Sequence, residues 1–277
     1  MNRSMIVASN TMNQLQKQLD IISNNMANAQ TNGFKKREVT FTDLLAQSFN
    51  NQPNKNDEVG RLTPAEIRLG VGAKIAQSQM VLKQGNLKET GRPLDIAFTN
   101  EKQFLKVLVN TNGVNQVRYT RDGALSLSPI SQNEVMLVNS EGYPILDENN
   151  QMITFNRNAN QFSISGTGNL SVKLPNGKLQ NVNLGIISLE KPQFLEKVGE
   201  NLLGLPENVG VNVSNVLTEL TGPLRNQVSM KQGSLEESNV DLGKEMTDLI
   251  NVQRSYQFQS RAITLSDQMM GLVNGIR

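Results

Sequence analysis

Over the first 30 residues, apolar side chains return at every seventh position. Met5, Met12, Leu19 and Met26 form one line, and Ala8, Leu15, Ile22 and Ala29 form a second line three residues later, with Asn, Gln, Ser, Lys and Asp between them. Two such lines sustained over four heptads predict an amphipathic helix with a coiled-coil seam. Gly33, after Asn32, suits the left-handed turn that closes helices, which predicts the stop there.

The C-terminal end carries the same period. Leu242, Leu249, Tyr256, Ile263 and Met270 are seven apart, with Met246, Val252, Met269, Val273 and Ile276 on neighbouring positions. Ser238-Asn239-Val240-Asp241 offers an N-cap and a first-turn acid, so a helix is predicted from near Asn239 almost to Arg277. Isolated helices of this length are marginal in water, and each buried Leu, Ile or Met contributes about 1.5–3 kcal/mol. The two stripes must therefore pair, either with each other or with copies in other subunits. Because they seek partners outside the rest of the chain, the helices are expected to be mobile in a free monomer and ordered on assembly.

Between these ends the pattern changes to period two or to continuous apolar runs. Gln103–Val109, Gln116–Ser128 and Asn169–Leu189 read as strands, with further strands at Val135–Val138, Gln151–Phe155 and Gln161–Ser165. Asp122-Gly123 and Asn176-Gly177 are hairpin signals. No helix–strand alternation suggests a parallel sheet. The expected fold class is α+β: long N- and C-terminal helices paired as a coiled-coil-like core, with a mostly antiparallel β domain inserted between them. The expected division is 1–45 (N-terminal helix), 46–80 (extended arm or linker), 81–235 (β-rich domain) and 236–277 (C-terminal helix). The arm rests on Gln47–Gly72, which is polar and Asn-rich and contains Pro; Glu207–Arg225 reads as the returning connection.

Composition narrows the function. The chain has 277 residues, 27 basic and 25 acidic, so it carries no field strong enough to gather nucleic acid or an anionic membrane. Asn and Gln make up roughly a fifth of it, a surplus suited to hydrogen-bonded contact with other protein. It has no Cys and no His. That removes thiol nucleophiles, Ser-His-Asp triads, thiolate or imidazole zinc sites and the usual neutral-pH proton shuttle. No apolar run spans a bilayer, and the N-terminus lacks the apolar core of a cleaved signal peptide, so any export is expected to use another route.

Three weak chemical signals do not amount to a site. Gly70-Val71-Gly72 begins a dinucleotide fingerprint, but Ile75 stands where the third Gly belongs. Asp147-Glu148-Asn149-Asn150-Gln151 alternates oxygen ligands like a calcium loop, but Met152 replaces the turn Gly, so a hairpin turn is expected. Glu236, Glu237, Asp241 and Glu245 read as carboxylates complementing a helix start. The reading is no enzyme and no cofactor. A secreted β-rich adhesin or glycan-binding module is the alternative of another class, although Tyr119, Tyr143 and Tyr256 are too scattered for a sugar platform.

Several motifs carry a family likeness. Leu19–Leu45 resembles the N-terminal signature of flagellar rod and hook proteins, with Asn24, Asn25, Ala27, Asn28, Thr31, Gly33, Phe34, Lys35, Phe41 and Asp43 on its pattern. Gln232–Met270 resembles the C-terminal signature, above all at Glu237–Asp241 and Gln253–Tyr256. Gln84–Phe98 and Tyr119–Leu125 resemble the shared entry to the β domain. One departure stands at Thr99–Leu105, where the family commonly has a Gly-rich turn before two Phe residues. The resemblance implies an axial flagellar protein that is exported by the flagellar type III apparatus and stacks helically into a tube, with the terminal helices at the inner wall. Its partners would be itself, neighbouring rod and hook proteins and the export apparatus; nucleic acid and small-molecule substrates are not expected. The expected location is the flagellar basal body outside the cytoplasmic membrane. Length and the arm resemble the distal rod branch, with proximal rod or hook as alternatives. The implied assembly and core residues are Met5, Met12, Leu15, Leu19, Ile22, Asn24, Asn25, Met26, Asn28, Gly33 and Phe34, with Leu242, Met246, Leu249, Val252, Tyr256, Ile263 and Met270.

One phrase occurs twice, as Lys83-Gln84-Gly85-Asn86-Leu87 and Lys231-Gln232-Gly233-Ser234-Leu235. No fixed period separates the copies, so they are read as two neighbouring strands with a Gly-relieved turn or bulge bracketing the β domain.

Overall fold

The computed structural model describes residues 3–43, 47–50, 66–69, 73–111, 113–175, 177–199, 201–206 and 213–275. The chain forms two compact units. One comprises Met1–Ala27, Arg37–Gln79 and Asp241–Arg277, and the other Asn28–Lys36 with Met80–Val240.

In the first unit, helix α1 (Arg3–Ala27) packs against helix α2 (Leu242–Gly275). Strands β1 (Arg37–Asp43) and β4 (Ala73–Met80) pair, as do β2 (Gln47–Asn50) and β3 (Glu66–Leu69) in antiparallel register. The N-terminal helix therefore ends at Ala27, short of Gly33, and the stretch to residue 45 holds a strand. Asn25 is the physical reason. Its side-chain amide donates to the Arg37 carbonyl (2.9 Å) and its oxygen accepts from the Arg37 N–H (3.0 Å), so the returning chain is held against the last helical turn. Asn28 then accepts the Thr31 N–H in a turn. The expected arm has paired flanks in β2 and β3, while residues 51–65 and 70–72, including Gly70, Val71 and Gly72, lie outside the described residues. At the other end, Asp241 Oδ1 accepts the N–H groups of Gly243 and Lys244 and caps α2, which starts three residues later than expected. No helix among the described residues is long and apolar enough to cross a membrane.

Among the described residues of the second unit, every strand pairing is antiparallel, with short 3-10 turns at Pro192–Phe194, Val213–Asn215 and Gly222–Gln227. Its strands are β5 (Leu87–Glu89), β6 (Ile96–Phe98), β7 (Gln103–Thr111), β8 (Val114–Thr120), β9 (Ser126–Pro129), β10 (Glu134–Val138), β11 (Thr154–Asn156) and β12 (Asn160–Ile164). They continue as β13 (Asn169–Lys173), β14 (Leu179–Asn183), β15 (Ile186–Leu189), β16 (Glu196–Lys197), β17 (Leu202–Gly204), β18 (Leu217–Glu219), β19 (Met230–Gln232) and β20 (Ser234–Glu236). The largest sheet runs β16-β17-β8-β7-β15-β18, accompanied by β11-β10-β9 and β12-β13-β14 and by the pairs β19-β6 and β20-β5. β7 is buried on both faces, and its apolar residues join those of the other strands in two clusters, one around Leu105, Val107, Leu137 and Leu170, the other around Phe104, Ile187 and Leu189.

The two turn signals behave differently. Gly177, at φ 77°, closes the β13–β14 hairpin; Asn176 itself is outside the described residues. Asp122-Gly123 makes no hairpin, because β8 pairs with β7 and β17 while β9 pairs with β10. It is a buried corner between sheets. Asp122 Oδ1 accepts the Ala124 N–H, Asp122 Oδ2 accepts the Ser140 hydroxyl, and the Gly123 carbonyl accepts the Ile96 N–H. The expected return connection also contains β18, the edge strand beside β15; its residues 207–212 are outside the described residues.

A Cβ on Gly123 would lie 1.8 Å from the Ile96 carbonyl oxygen, which is backbone and cannot swing aside. Gly123→Ala should therefore lower the unfolding free energy of the full chain by about 1–3 kcal/mol in urea titration. An unchanged midpoint would refute this packing.

Candidate functional site: an open helix face and a buried charged clasp

α2 presents two different faces. Its most enclosed line is Glu245, Val252, Gln259 and Ser266, seven residues apart, with Glu245, Val252 and Ser266 only 4–6% exposed and Gln259 half-buried. Leu249, Tyr256, Ile263 and Met270 lie half-buried beside that line. Leu242, Met246, Ile250, Phe258, Leu265, Met269, Leu272 and Val273 are exposed, with Phe258 at 71% and Leu272 at 70%. The packed helix thus encloses mostly polar or small side chains and leaves much of its apolar surface in water. Asn25 Nδ2 donates to Glu245 Oε2 at 3.2 Å, joining the end of α1 to the start of α2, so the packed helices run antiparallel. On α1, Ala8, Ile22 and Asn25 are buried, Met5, Met12, Leu15, Leu19 and Met26 are half-buried, and Asn24 is exposed.

Asn28, Gly33 and Phe34 are all buried and belong to the β unit. There the chain segments that lead out of the unit are laced to one carboxylate, Glu236. Its Oε1 accepts from Lys35 Nζ (2.6 Å) and the Gly85 N–H (3.0 Å); its Oε2 accepts from Arg121 Nε (2.6 Å). Glu236 is 2% exposed and Arg121 2%, with Lys35 at 6%. Lys35 also donates to the Lys83 carbonyl, and Arg121 Nη1 to those of Glu101 and Gln103. The guanidinium lies 5.6 Å from the ring centroids of both Phe98 and Phe104. Asn239 adds a second stitch: its Oδ1 accepts the Lys36 N–H and its Nδ2 donates to the Val81 and Lys83 carbonyls.

Glu236 is therefore not a helix-start acid. It ends β20, three residues after the left-handed Gly233 (φ 72°). The repeated phrases lead into strands that pair, Leu87 facing Glu236 and Lys88 facing Leu235, so each phrase lies beside the chain next to the other phrase and not beside the phrase itself. Gly85 is required by closeness, since a Cβ there would meet the Glu237 carbonyl oxygen at 2.0 Å. The Thr99–Leu105 departure also has a local solution. Asn100 Oδ1 accepts the Lys102 N–H, so an Asx turn stands where glycine is usual.

The calcium-like loop is a turn. Asp147 Oδ1 accepts the N–H groups of Asn149 and Gln151, and Asn150 sits at φ 61°. A cation is already supplied: Nζ of the buried Lys106 bonds Asn150 Oδ1 (3.0 Å) and Glu219 Oε1 (2.7 Å). Sequence reasoning missed Lys106, Arg121, Glu236 and Asn239 as partners, along with the polar line of α2. The seven-residue recurrence of Glu245, Val252, Gln259 and Ser266 was the one available signal.

A clasp of charges sealed inside a β unit offers nothing to a substrate, and an apolar helix face open to water asks for protein; together they define a structural protein built to associate. Residues 5–35 match the flagella basal body rod protein model, 100–172 the flagellar hook protein FlgE/F/G D1 domain, and 231–276 the flagellar basal body rod FlgEFG protein C-terminal model. The chain is 43% identical to the flagellar hook-basal body complex protein FlhP of Bacillus subtilis over all of both chains. It is 33% identical to the flagellar basal-body rod protein FlgG of Borreliella burgdorferi, over 100% of this chain and 99% of the other. With FlgG of Bacillus subtilis it shares 32%, over 98% and 97%. The chain belongs to the flagellar rod and hook protein family, a family of structural proteins and not of enzymes. Each matched segment contributes one charge to the clasp: Lys35, Arg121 and Glu236 in turn.

Glu236→Gln keeps the shape but leaves two buried cations without their anion. It should cost about 3–5 kcal/mol in urea unfolding of the full chain; a loss below about 1 kcal/mol would contradict the clasp. Burial, aided by the neighbouring Arg121 cation and opposed by Glu236, pulls the Lys35 ammonium from 10.5 down to about 8. Between those values the unfolded chain keeps a proton that the folded chain releases. The Lys35 contribution to stability therefore rises with pH across that window and is least below it. Unfolding midpoints at about pH 7.5 and about pH 9.5 should shift in favour of the wild type over Lys35→Met, and the opposite trend would count against this assignment.

Proposed function

We propose that this chain is a subunit of the distal flagellar rod, polymerising helically into a hollow shaft that carries torque toward the hook. The observation that carries the reading is the inverted economy of α2, whose enclosed line holds Glu245, Gln259 and Ser266 while Phe258, Leu265, Met269 and Leu272 stay exposed. An apolar stripe of this length gains about 1.5–3 kcal/mol per side chain when other copies cover it. In the shaft, α1 and α2 form the coiled-coil-like inner layer. The assembly and core residues are Met5, Met12, Leu15, Leu19, Ile22 and Met26 on α1, and Leu242, Met246, Leu249, Val252, Tyr256, Ile263 and Met270 on α2, with Ile22 and Val252 closing the pair within one copy. The partners are further copies, the neighbouring rod and hook proteins and the flagellar export apparatus.

One observation favours a second position in the same axis. Against two relatives from a single organism, Bacillus subtilis, identity is 43% to the hook-basal body complex protein and 32% to the rod protein FlgG. Electron microscopy of basal bodies lacking this chain separates the positions by where the axis stops.

Leu265→Asp combined with Leu272→Asp should leave the near-complete β-sheet signal of the full chain intact and abolish both incorporation and swimming. Normal motility would sink the proposal. Because its seam is largely polar, α2 should also exchange its amide hydrogens rapidly in a verified monomer and slowly once assembled. Strong protection over Leu242–Ile263 in the monomer would count against that order of events.

A further inference from the structure

The antiparallel helices differ in length. From the Asn25–Glu245 bond, α1 runs back to Arg3 while α2 runs on to Gly275, so α2 outlasts its partner by about eight residues, roughly 12 Å. Met269, Leu272 and Val273 sit on this overhang at 59%, 70% and 68% exposure, with Asp267 at its base. A groove of about 460 Å³ lies elsewhere on the same unit, between α1 and β4, lined by Gln14, Lys17, Asp20, Ile21, Lys74 and Ile75. Gln14 Oε1 accepts the Ile75 N–H at 3.1 Å, which ties the two walls together and makes the groove part of the fold.

We propose that the α2 overhang of one copy seats in the α1–β4 groove of the next. This rests on the reading of the chain as a self-assembling subunit and adds which surfaces meet. Three observations select the pairing. The overhang is apolar and lacks its own α1, because α1 has ended. The groove offers two half-buried isoleucines between its walls, the form of site that takes the apolar face of an amphipathic helix. Charge agrees as well: the overhang starts with Asp267, and the groove carries Lys17 and Lys74 against Asp20 alone. The two patches are different surfaces, so the contact is heterologous. Repeating it adds copies in one direction and does not close on a dimer.

The chain has no cysteine, so introduced thiols report one contact at a time. Leu272→Cys and Ser78→Cys both replace exposed side chains, the latter on the groove rim. The full-length double variant, oxidised with diamide under assembly conditions, should give a ladder of covalent trimers and longer species. The single variants should stay monomeric, and their mixture should stop at a mixed dimer. Filaments or incorporated subunits without the 272–78 crosslink would overturn the groove and leave the subunit reading standing. A 272–272 dimer from the single variant would replace the heterologous contact with a symmetric one. Failure of the wild-type chain to associate at all would overturn both. Lys17→Glu with Lys74→Glu should cut crosslinking at least about tenfold, and Asp267→Lys should restore a substantial part of it. Equal crosslinking in all three would remove the charge argument.

Discussion

The β unit depends on one buried carboxylate. Glu236 has lost its water to lie between an ammonium and a guanidinium, each 2.6 Å away. Burying a charge costs several kcal/mol unless partners and hydrogen bonds replace the solvent, so the cluster is stable only when every member is in place. Here each partner comes from a different part of the chain: Lys35 from the segment after α1, Arg121 from the corner between sheets, and Glu236 from the strand before α2. The Gly85 amide adds the entry to the unit. Formation of the cluster therefore fixes the ends of three separate segments at once. The two phenylalanines flanking Arg121 help hold a guanidinium that water no longer can.

The sequence made the coarse plan readable because that plan rests on period. Seven-residue recurrence marks both helices, a continuous apolar run marks β7, and alternation marks β10, β13 and β14; these signals are local. Period does not say which line of an amphipathic helix turns inward. Leu242 and Met246 look like seam positions, yet Glu245 is the enclosed one, because it meets Asn25 across the helix pair. Asp122-Gly123 has the composition of a hairpin, and only the backbone of Ile96, far from the turn in the fold's connectivity, makes it a corner. The clasp was hidden for the same reason. Its charges are separated by 86, 115 and 201 positions, and each alone resembles an ordinary surface residue or helix cap. The repeated Lys-Gln-Gly phrase was readable as a bracket, since both copies prepare strands that pair.

The full-length relatives establish the family, while the three matched segments coincide with the three suppliers of the clasp. The likeness at 5–35 and 231–276 thus covers two kinds of residue. Some, such as Lys35 and Glu236, hold a subunit's own β unit together. Others, such as Leu265 and Met269, remain open on α2, where the proposed contact with further copies would cover them. A signature read as a single assembly motif is physically two, with opposite exposure.

That difference in exposure sets how each part answers to ions in the surrounding medium. Dissolved salt screens charges across about 10 Å of solution at 0.1 M, but it cannot enter a cluster whose members are 2–6% accessible. The Asp267, Lys17 and Lys74 side chains lie at the surface and feel it fully. In the contact proposed between copies, raising ionic strength would therefore weaken the charged part of the link before it touches the bonds within each copy.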